Sequence, residues 1–488
     1  MTKTTTDPAP SRTINVFPLA TRAVGILTVT VGGLQLAAAI VGRDFWFDEV
    51  YMLAIGRNHL DWGSADQPPV APALAAIIDT LFPDSVVALR IPAVLATALT
   101  VLVAALIARE MGCDGRAQTL VAAAQATGLW ASVGGHWLTP YALEPLSWLV
   151  LIWLLVRWIR IRDDRLLLAL GVVAGIAAMT KFQVLLLCAV LVLTVAAVGP
   201  RALLRRPSLW GAVGVGTAIA APTLWWQAQH GWPQLAMTEV VAAEAGPLYG
   251  GRGGVAVQLI VFAGVVCAGL ALYALIRLAR DPALTDYRFL GVTFVMLYVV
   301  FAVTPGRPYY LCGLFPAVAA VGALSLQWRR EAGEARWQRA AWPIYAVSAV
   351  VALSGVVLGA VLTNSDTGEH IARRTADAYH ALPPATRDHT AIIGESYIVA
   401  AYLDGYSNRF GLPAAFSPTR TYGYFPPPDD SIDTVLLVGD NGPDRLLPYF
   451  TEVHQLDGDD QEIGVWLLTG RTESWGTLWP KARTLAVI

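Results

Sequence analysis

Charged side chains are scarce in this chain. Asp, Glu, Lys and Arg make up 14% of its 488 residues, whereas a typical soluble protein has about 25%. Hydrophobic residues reach 55%, and apolar runs near the ~20 residues that span a bilayer recur along the chain. This composition excludes an ordinary soluble domain and indicates a polytopic membrane protein. The formal net charge of −2 argues against nucleic acid as a partner.

Cysteine is also rare, and its spacing excludes the usual metal motifs. The four cysteines, Cys113, Cys188, Cys267 and Cys312, are widely separated, and no two have the CxxC spacing of metal sites. Three lie in apolar runs, where we expect them to be packing residues. No cofactor is therefore predicted with certainty. A divalent metal is compatible with the acids described below, although no ligand spacing requires one.

About eleven apolar runs predict transmembrane helices. They cover 19–41, 86–108, 117–134, 141–158, 166–179, 182–198, 209–226, 255–276, 289–303, 310–326 and 341–362. Arginine is concentrated in alternate loops, at 109–116, 157–165, 201–206, 277–288 and 329–339. Because cytoplasmic loops carry an excess of Lys and Arg, we expect these loops and the N-terminus in the cytoplasm. The alternate loops and the tail are then extracytoplasmic.

The composition changes after residue 362. Short apolar runs bounded by turn residues, at 390–394, 433–439 and 464–468, predict buried strands. A tail of this length is enough for one small α/β domain. The sequence therefore predicts a transmembrane module at 1–362 and a soluble extracytoplasmic α/β domain at 363–488.

Carboxylates cluster in the first outer loop, 43–85. The acids are Asp44, Asp48, Glu49 and Asp66. Ionisable groups at membrane depth are costly, so they usually mark a polar cavity, an ion path or an active site. The alternative is that they cap helices and solvate a loop, which suits Asp44 best. The apolar flank before Asp48 favours a half-buried, functional carboxylate.

Three further charges lie on the outer side. Glu144 falls about one helical turn into the fourth predicted span, where a lone acid is costly without a partner or a wet cavity. It is either structural or an additional acid of the site. Lys181 and Arg307 break the arginine bias. They either snorkel to the interface or bind an anionic phosphate, which arginine can hold through two hydrogen bonds.

Seven segments, in order along the chain, carry a resemblance to a known family. They are 47–51, 66–69, 88–92, 180–182, 226–233, 306–310 and 406–424. Together they resemble the GT-C glycosyltransferases. The branch they are most similar to is that of bacterial glycosyltransferase family 39, which is related to protein O-mannosyltransferases and the lipid A aminoarabinose transferase.

The resemblance implies a GT-C membrane fold and transfer of a sugar from a polyprenyl phosphate to an acceptor hydroxyl outside the plasma (inner) membrane. The class of acceptor stays open, and membrane lipid is the surrounding partner. In the family pattern the first acid of the Asp-Glu pair is the catalytic carboxylate, which places this role on Asp48, with Glu49 beside it. Asp66 joins the catalytic group, and Asp66 and Gln67 line the donor site.

The proposed chemistry needs two kinds of group. A carboxylate must deprotonate or orient the acceptor hydroxyl, which suits Asp48. Cations must stabilise the departing phosphate, which suits Lys181 and Arg307, with Tyr310 as a hydrogen-bond donor and Tyr309 beside it. A single displacement would invert the anomeric centre.

Two other functions remain open at this point. A transporter or flippase for a lipid-linked or anionic substrate would also need charges at membrane depth. The sequence shows no inverted repeat or paired broken helices, and a transporter leaves the large tail unexplained. The other alternative is a sensor or scaffold whose membrane half is catalytically inactive.

Overall fold

The described residues up to 362 are mainly helical. The computed structural model describes residues 16–334, 341–440, 445–457 and 463–486. The helices of this part are α1 (Thr21–Val41), α2 (Phe47–Asn58), α3 (Val70–Leu81), α4 (Val86–Glu110), α5 (Gly115–Ala126), α6 (Leu129–Gly134), α7 (Pro140–Ile161), α8 (Arg165–Ala178), α9 (Gln183–Val198), α10 (Pro207–Gln229), α11 (Pro233–Tyr249), α12 (Gly251–Val261), α13 (Val265–Arg280), α14 (Arg288–Val303), α15 (Phe315–Glu331) and α16 (Ala341–Leu362).

The predicted spans correspond to helices, but among the described residues fewer than eleven are long and apolar enough to cross a membrane. Among the described residues five are long and apolar enough: α1, α4, α7, and the stretches that contain α14 and α16. A sixth is added if α12 and α13 are taken as one span. Helices α8 and α9 have 14 and 16 residues, fewer than the ~20 that cross a bilayer unaided. The number of spans therefore stays a prediction.

Two of the predicted spans are broken, which corrects the expectation of continuous helices. The span predicted at 255–276 is α12 and α13, bent by 97°, and the span predicted at 117–134 is α5 and α6. The breaks meet, because the backbone N–H of Trp130 donates to the carbonyl of Phe262 at 3.1 Å. Gly264 has a φ of +80°, and a Cβ there would lie 2.4 Å from the carbonyl oxygen of Thr127. Each break thus supplies hydrogen-bond partners for backbone that the helix leaves unpaired.

The tail contains the expected sheet. Its helices are α17 (Thr367–Ala381), α18 (Pro384–Arg387), α19 (Tyr397–Gly405), α20 (Ser407–Phe410) and α21 (Trp475–Ala482). Its strands are β1 (Thr390–Gly394), β2 (Ala415–Phe416), β3 (Thr434–Gly439), β4 (Phe450–Asp457) and β5 (Gly464–Arg471). The strand order is β2-β1-β3-β5-β4. Strand β1 is parallel to β2 and β3, while β5 is antiparallel to β3 and β4. The three predicted strands are confirmed, and the region is α/β.

The first outer loop and the tail share one hydrophobic core. Val50 and Leu53 of α2 belong to the same buried cluster as Leu403 of α19. The two helices approach so closely that a Cβ on Gly405 would lie 2.3 Å from Val50 Cγ2. Asp44 adds a polar link, because it accepts hydrogen bonds from the Tyr406 hydroxyl at 2.7 Å. The tail therefore holds the acidic loop in place, and the domain boundary at residue 362 stays a prediction.

Candidate active site

A buried ion pair fixes the start of α2. Arg90 of α4 contacts Glu49 at 2.5 Å, and neither side chain is exposed. Arg90 also donates to the carbonyls of Gly42 at 2.6 Å and Asp44 at 2.7 Å. Glu49 accepts in addition from the backbone N–H of Trp46 at 2.8 Å, as in a helix N-terminal cap. Arg90 thereby holds the chain that leads into α2.

This pairing separates the roles of the two adjacent acids. Glu49 was expected beside Asp48 in the catalytic group. Its side chain has no exposed surface, so in this structure it cannot touch a substrate. Neighbouring residues on a helix point in directions about 100° apart, and Asp48 lies on the half-buried side of α2. Glu49 is therefore placed to position Asp48.

Asp48 is a half-buried carboxylate with a hydroxyl partner. Its Oδ2 accepts a hydrogen bond from the Tyr141 hydroxyl at 3.1 Å, and this hydroxyl accepts from Trp46 Nε1 at 2.8 Å. Burial raises the pKa of Asp48 to about 6, the Tyr141 hydrogen bond opposes the rise, and the nearby charge of Asp66 adds to it. Above that pH the carboxylate is ionised and can accept a proton, which is the state that a general base requires.

Asp66 joins α2 to the tail. Its Oδ1 accepts hydrogen bonds from the Tyr51 hydroxyl at 2.8 Å and from the Thr421 hydroxyl at 2.7 Å. Gln67 closes a tight turn, in which its backbone carbonyl accepts from the Ser64 hydroxyl at 2.9 Å, and its side chain is half-buried. The structure brings Asp66 close to Asp48, as the sequence predicted.

Lys181 and Glu144 are partners. Lys181 follows α8, and its Nζ lies 3.3 Å from Glu144 Oε2. The ammonium also lies 4.8 Å from the ring centroid of Tyr309 and 4.5 Å from that of Tyr310. Such cation–π contacts stabilise a partly desolvated cation. Glu144 therefore has the partner that a membrane-depth acid needs, while Lys181, Tyr309 and Tyr310 gather in one place as expected.

Arg307 belongs to a salt-bridge network that the sequence did not predict. The Glu244 carboxylate, on α11, accepts from Arg307 through Oε2 and from Arg420 through Oε1. Arg420 lies in the tail just before Thr421, and its backbone has a φ of +52°. The segment 406–424 had carried part of the family resemblance. However, one arginine is not unusual in a polar tail. Neither the composition nor a motif of the sequence therefore identified Arg420 or Glu244 as a site residue.

These groups form a single centre. The charges of Asp66, Arg420 and Arg307 all act on Asp48, and those of Arg307 and Asp48 act on Lys181. Hydrogen bonding leaves several cationic N–H groups free. Among the described residues the buried atoms Arg307 Nη1 and Arg420 Nε make no hydrogen bond, and Lys181 Nζ has only its ion pair with Glu144. The centre thus combines the Asp48 carboxylate with three cations whose free N–H groups can bind an anion.

Aromatic rings pack around Tyr309 and Tyr310. The Tyr309 ring stacks on Trp130 with a centroid distance of 4.6 Å, and it lies 4.9 Å from the ring of Tyr141. Tyr310 meets Phe301 edge-on at 5.1 Å. The ring of Tyr309 thereby connects the break between α5 and α6 to the hydroxyl that contacts Asp48.

The described part of the chain contains no group of three or more His, Cys, Asp or Glu side chains that could hold a metal ion. Hydroxyl groups donate hydrogen bonds to both Asp48 and Asp66. A role for a divalent metal therefore stays an untested expectation.

Comparison with known proteins supports the assignment of the fold. A family model described as dolichyl-phosphate-mannose-protein mannosyltransferase matches residues 66–226. A search of curated protein sequences found no match. ArnT from Cupriavidus metallidurans bound to undecaprenyl phosphate is similar in structure, with a TM-score of 0.66 and 14% identity over 92% of this chain and 98% of that chain.

Two further structures share the architecture. ArnT from the same organism in the apo state has a TM-score of 0.63 and 15% identity, over 92% of this chain and 98% of that chain. The Archaeoglobus fulgidus oligosaccharyltransferase in its apo form has a TM-score of 0.50 and 11% identity, over 86% of this chain and 70% of that chain. The family match and these structures confirm the predicted resemblance and the GT-C fold of a multi-pass membrane protein.

Proposed function

We propose that this chain is a membrane glycosyltransferase. It transfers a sugar from a polyprenyl phosphate donor to an acceptor hydroxyl, with inversion at the anomeric carbon. The observation that carries the proposal is the centre around Asp48, in which one half-buried carboxylate of raised pKa faces three cations that retain unpaired N–H groups. The likeness to the structure of ArnT bound to undecaprenyl phosphate supports the class of donor.

The proposed reaction is a single displacement. Asp48 takes the proton of the acceptor hydroxyl while the acceptor oxygen attacks the anomeric carbon of the donor sugar. The bond from that carbon to the phosphate oxygen breaks, and its electron pair leaves on the polyprenyl phosphate. Arg307, Arg420 and Lys181 stabilise the charge that develops on this leaving group, since fixed cations in a site that excludes water act strongly on it.

The remaining residues orient the reactants. Asp66 keeps α2 and the tail together through Oδ1, and we assign its Oδ2 to a hydroxyl of the donor sugar, with Gln67 lining the same side. Tyr141 holds the Asp48 carboxylate by the 3.1 Å hydrogen bond. Tyr309 and Tyr310 flank the Lys181 ammonium and keep it pointed at the phosphate.

We also propose that the active site faces the extracytoplasmic side of the inner membrane and that the N-terminus is cytoplasmic. The arginines of alternate loops support this orientation. Cysteines placed at Thr477 in the tail and at Asp163 in an Arg-rich loop, both exposed, would be treated with an impermeant thiol reagent in intact cells. Labelling at 477 and not at 163 is expected. The reverse would place the site in the cytoplasm.

A donor assay tests the proposed function directly. The purified protein in lipid nanodiscs would be incubated with a synthetic polyprenyl phosphate sugar and a cell-envelope extract as the source of acceptor. We expect loss of donor that depends on the extract, with release of polyprenyl phosphate. In proteoliposomes a transporter would instead move intact donor across the bilayer, and a scaffold would do neither.

A further inference from the structure

We propose that the Glu244 carboxylate occupies the phosphate position of the donor-free site and is displaced when polyprenyl phosphate binds. The inference rests on the proposed function and adds a residue that the reaction scheme does not use. Glu244 would then set the affinity for the donor by competing with it, while making no contact with the reacting atoms.

The first support is the position of the carboxylate. Glu244 bridges Arg307 and Arg420, the two arginines assigned to the leaving phosphate, and its side chain is only 7% exposed. Carboxylates and phosphates form the same kind of charge-assisted hydrogen bonds with guanidinium groups. A phosphate that reaches both arginines must therefore take the place of Glu244 or share the arginines with it.

The second support is that Glu244 leaves some hydrogen-bond donors of the site without an acceptor. A carboxylate offers two oxygens, and both are already in use. Arg307 Nη1 and Arg420 Nε remain without a hydrogen bond within the described ranges, and Lys181 Nζ has only its ion pair with Glu144. Polyprenyl phosphate without its sugar is a phosphate monoester with three terminal oxygens and can serve more of these donors. Retaining both anions in one place is disfavoured because like charges repel.

The third support is the attachment of α11, which carries Glu244. Of its 17 residues only Pro233, Met237, Glu244 and Ala245 are buried. The helix is preceded by Trp232 in the left-handed conformation, with φ of +58°, and is followed by Gly250 and Gly251 with φ of +76° and +70°. Such a helix buries little apolar surface, so it can shift and withdraw Glu244 without disturbing the core.

Binding of polyprenyl phosphate that carries no sugar tests the inference on the full chain in nanodiscs. Glu244→Gln removes the competing charge. We expect the Kd for this lipid to fall by about fivefold or more, because a charged carboxylate no longer occupies the two arginines in most donor-free molecules. Glu244→Asp keeps the charge but is too short to bridge both arginines well, so an intermediate Kd is expected.

A matched control is available on another part of the chain. Glu110 is a buried carboxylate that bridges Arg157 and Arg160 and lies outside the proposed site. Glu110→Gln should leave the Kd for polyprenyl phosphate unchanged. If Glu244→Gln binds the lipid as the wild type does, or more weakly, Glu244 organises the arginines and the inference is overturned. If the wild type itself neither binds the lipid nor consumes donor, the proposed function fails instead.

Discussion

Replacement of Asp48 by asparagine should remove activity and at the same time stabilise the protein. Asparagine keeps the size of the side chain and an oxygen that can accept the hydrogen bond from Tyr141. It cannot take a proton from the acceptor. General-base catalysis typically contributes 10²–10⁴-fold, so kcat should fall by about that factor, which corresponds to roughly 3–5 kcal/mol in the barrier.

The expected gain in stability follows from the pKa. In the folded protein the pKa of Asp48 is raised from 3.8 to about 6. A raised pKa means that the protonated carboxyl favours the folded state at low pH, and that this contribution is lost as the pH rises from about 4 to about 6. At pH 7.5 the ionised carboxylate therefore costs at most about 3 kcal/mol, less any screening by water. The asparagine variant has no such cost.

The assay combines turnover with thermal unfolding in the same detergent. Asp61→Asn is the matched control, because Asp61 is an exposed acid of the same loop whose partner is Trp226 Nε1 at 2.8 Å. It should keep nearly wild-type kcat. A folded Asp48→Asn variant that turns over donor at nearly the wild-type rate, while Asp66→Asn is inactive, would transfer the role of base to Asp66. A variant that is both inactive and destabilised would indicate a structural role for Asp48.

Three further predictions concern neighbouring groups. Arg307→Ala should lower kcat/KM for the donor by a factor that corresponds to about 1.5–3 kcal/mol, and Arg307→Lys should lower it by less. If Arg307→Ala has the same kinetics as the wild type, Arg307 has only a structural role. Glu49→Gln leaves Arg90 buried without its charge partner and should cost about 3–5 kcal/mol of stability, so an unchanged Tm would contradict the positioning role. Tyr141→Phe removes the hydrogen bond that lowers the pKa of Asp48, so the acid limb of the pH profile of kcat/KM should move above about 6; a shift downwards would exclude Asp48 as the titrating group.

Local patterns were sufficient for three of the five described strands of the tail, β1, β3 and β5, and for the catalytic candidates. The strand predicted at 390–394 is β1 with the same bounds, because a short apolar run between turn residues has the length of a buried strand and is too short for a typical helix. Asp48 and Asp66 stood out because charge is rare in this chain, and the structure places them in one centre. Because burying charge is costly, an acid in an apolar chain indicates a functional residue, and both acids could be predicted from the sequence.

The amino-acid sequence by itself determined which segments are apolar, where the sheet forms and which charges lie out of place. Only the tertiary structure decided which charges meet. Glu49 and Arg90 are 41 residues apart, and Glu244 and Arg420 are 176 apart. Such pairs depend on how helices pack, and the local pattern around one partner does not identify the other. The two broken spans are a further case, because the backbone N–H of Trp130 in one span donates to the carbonyl of Phe262 in the other. Neither segment contains this contact by itself.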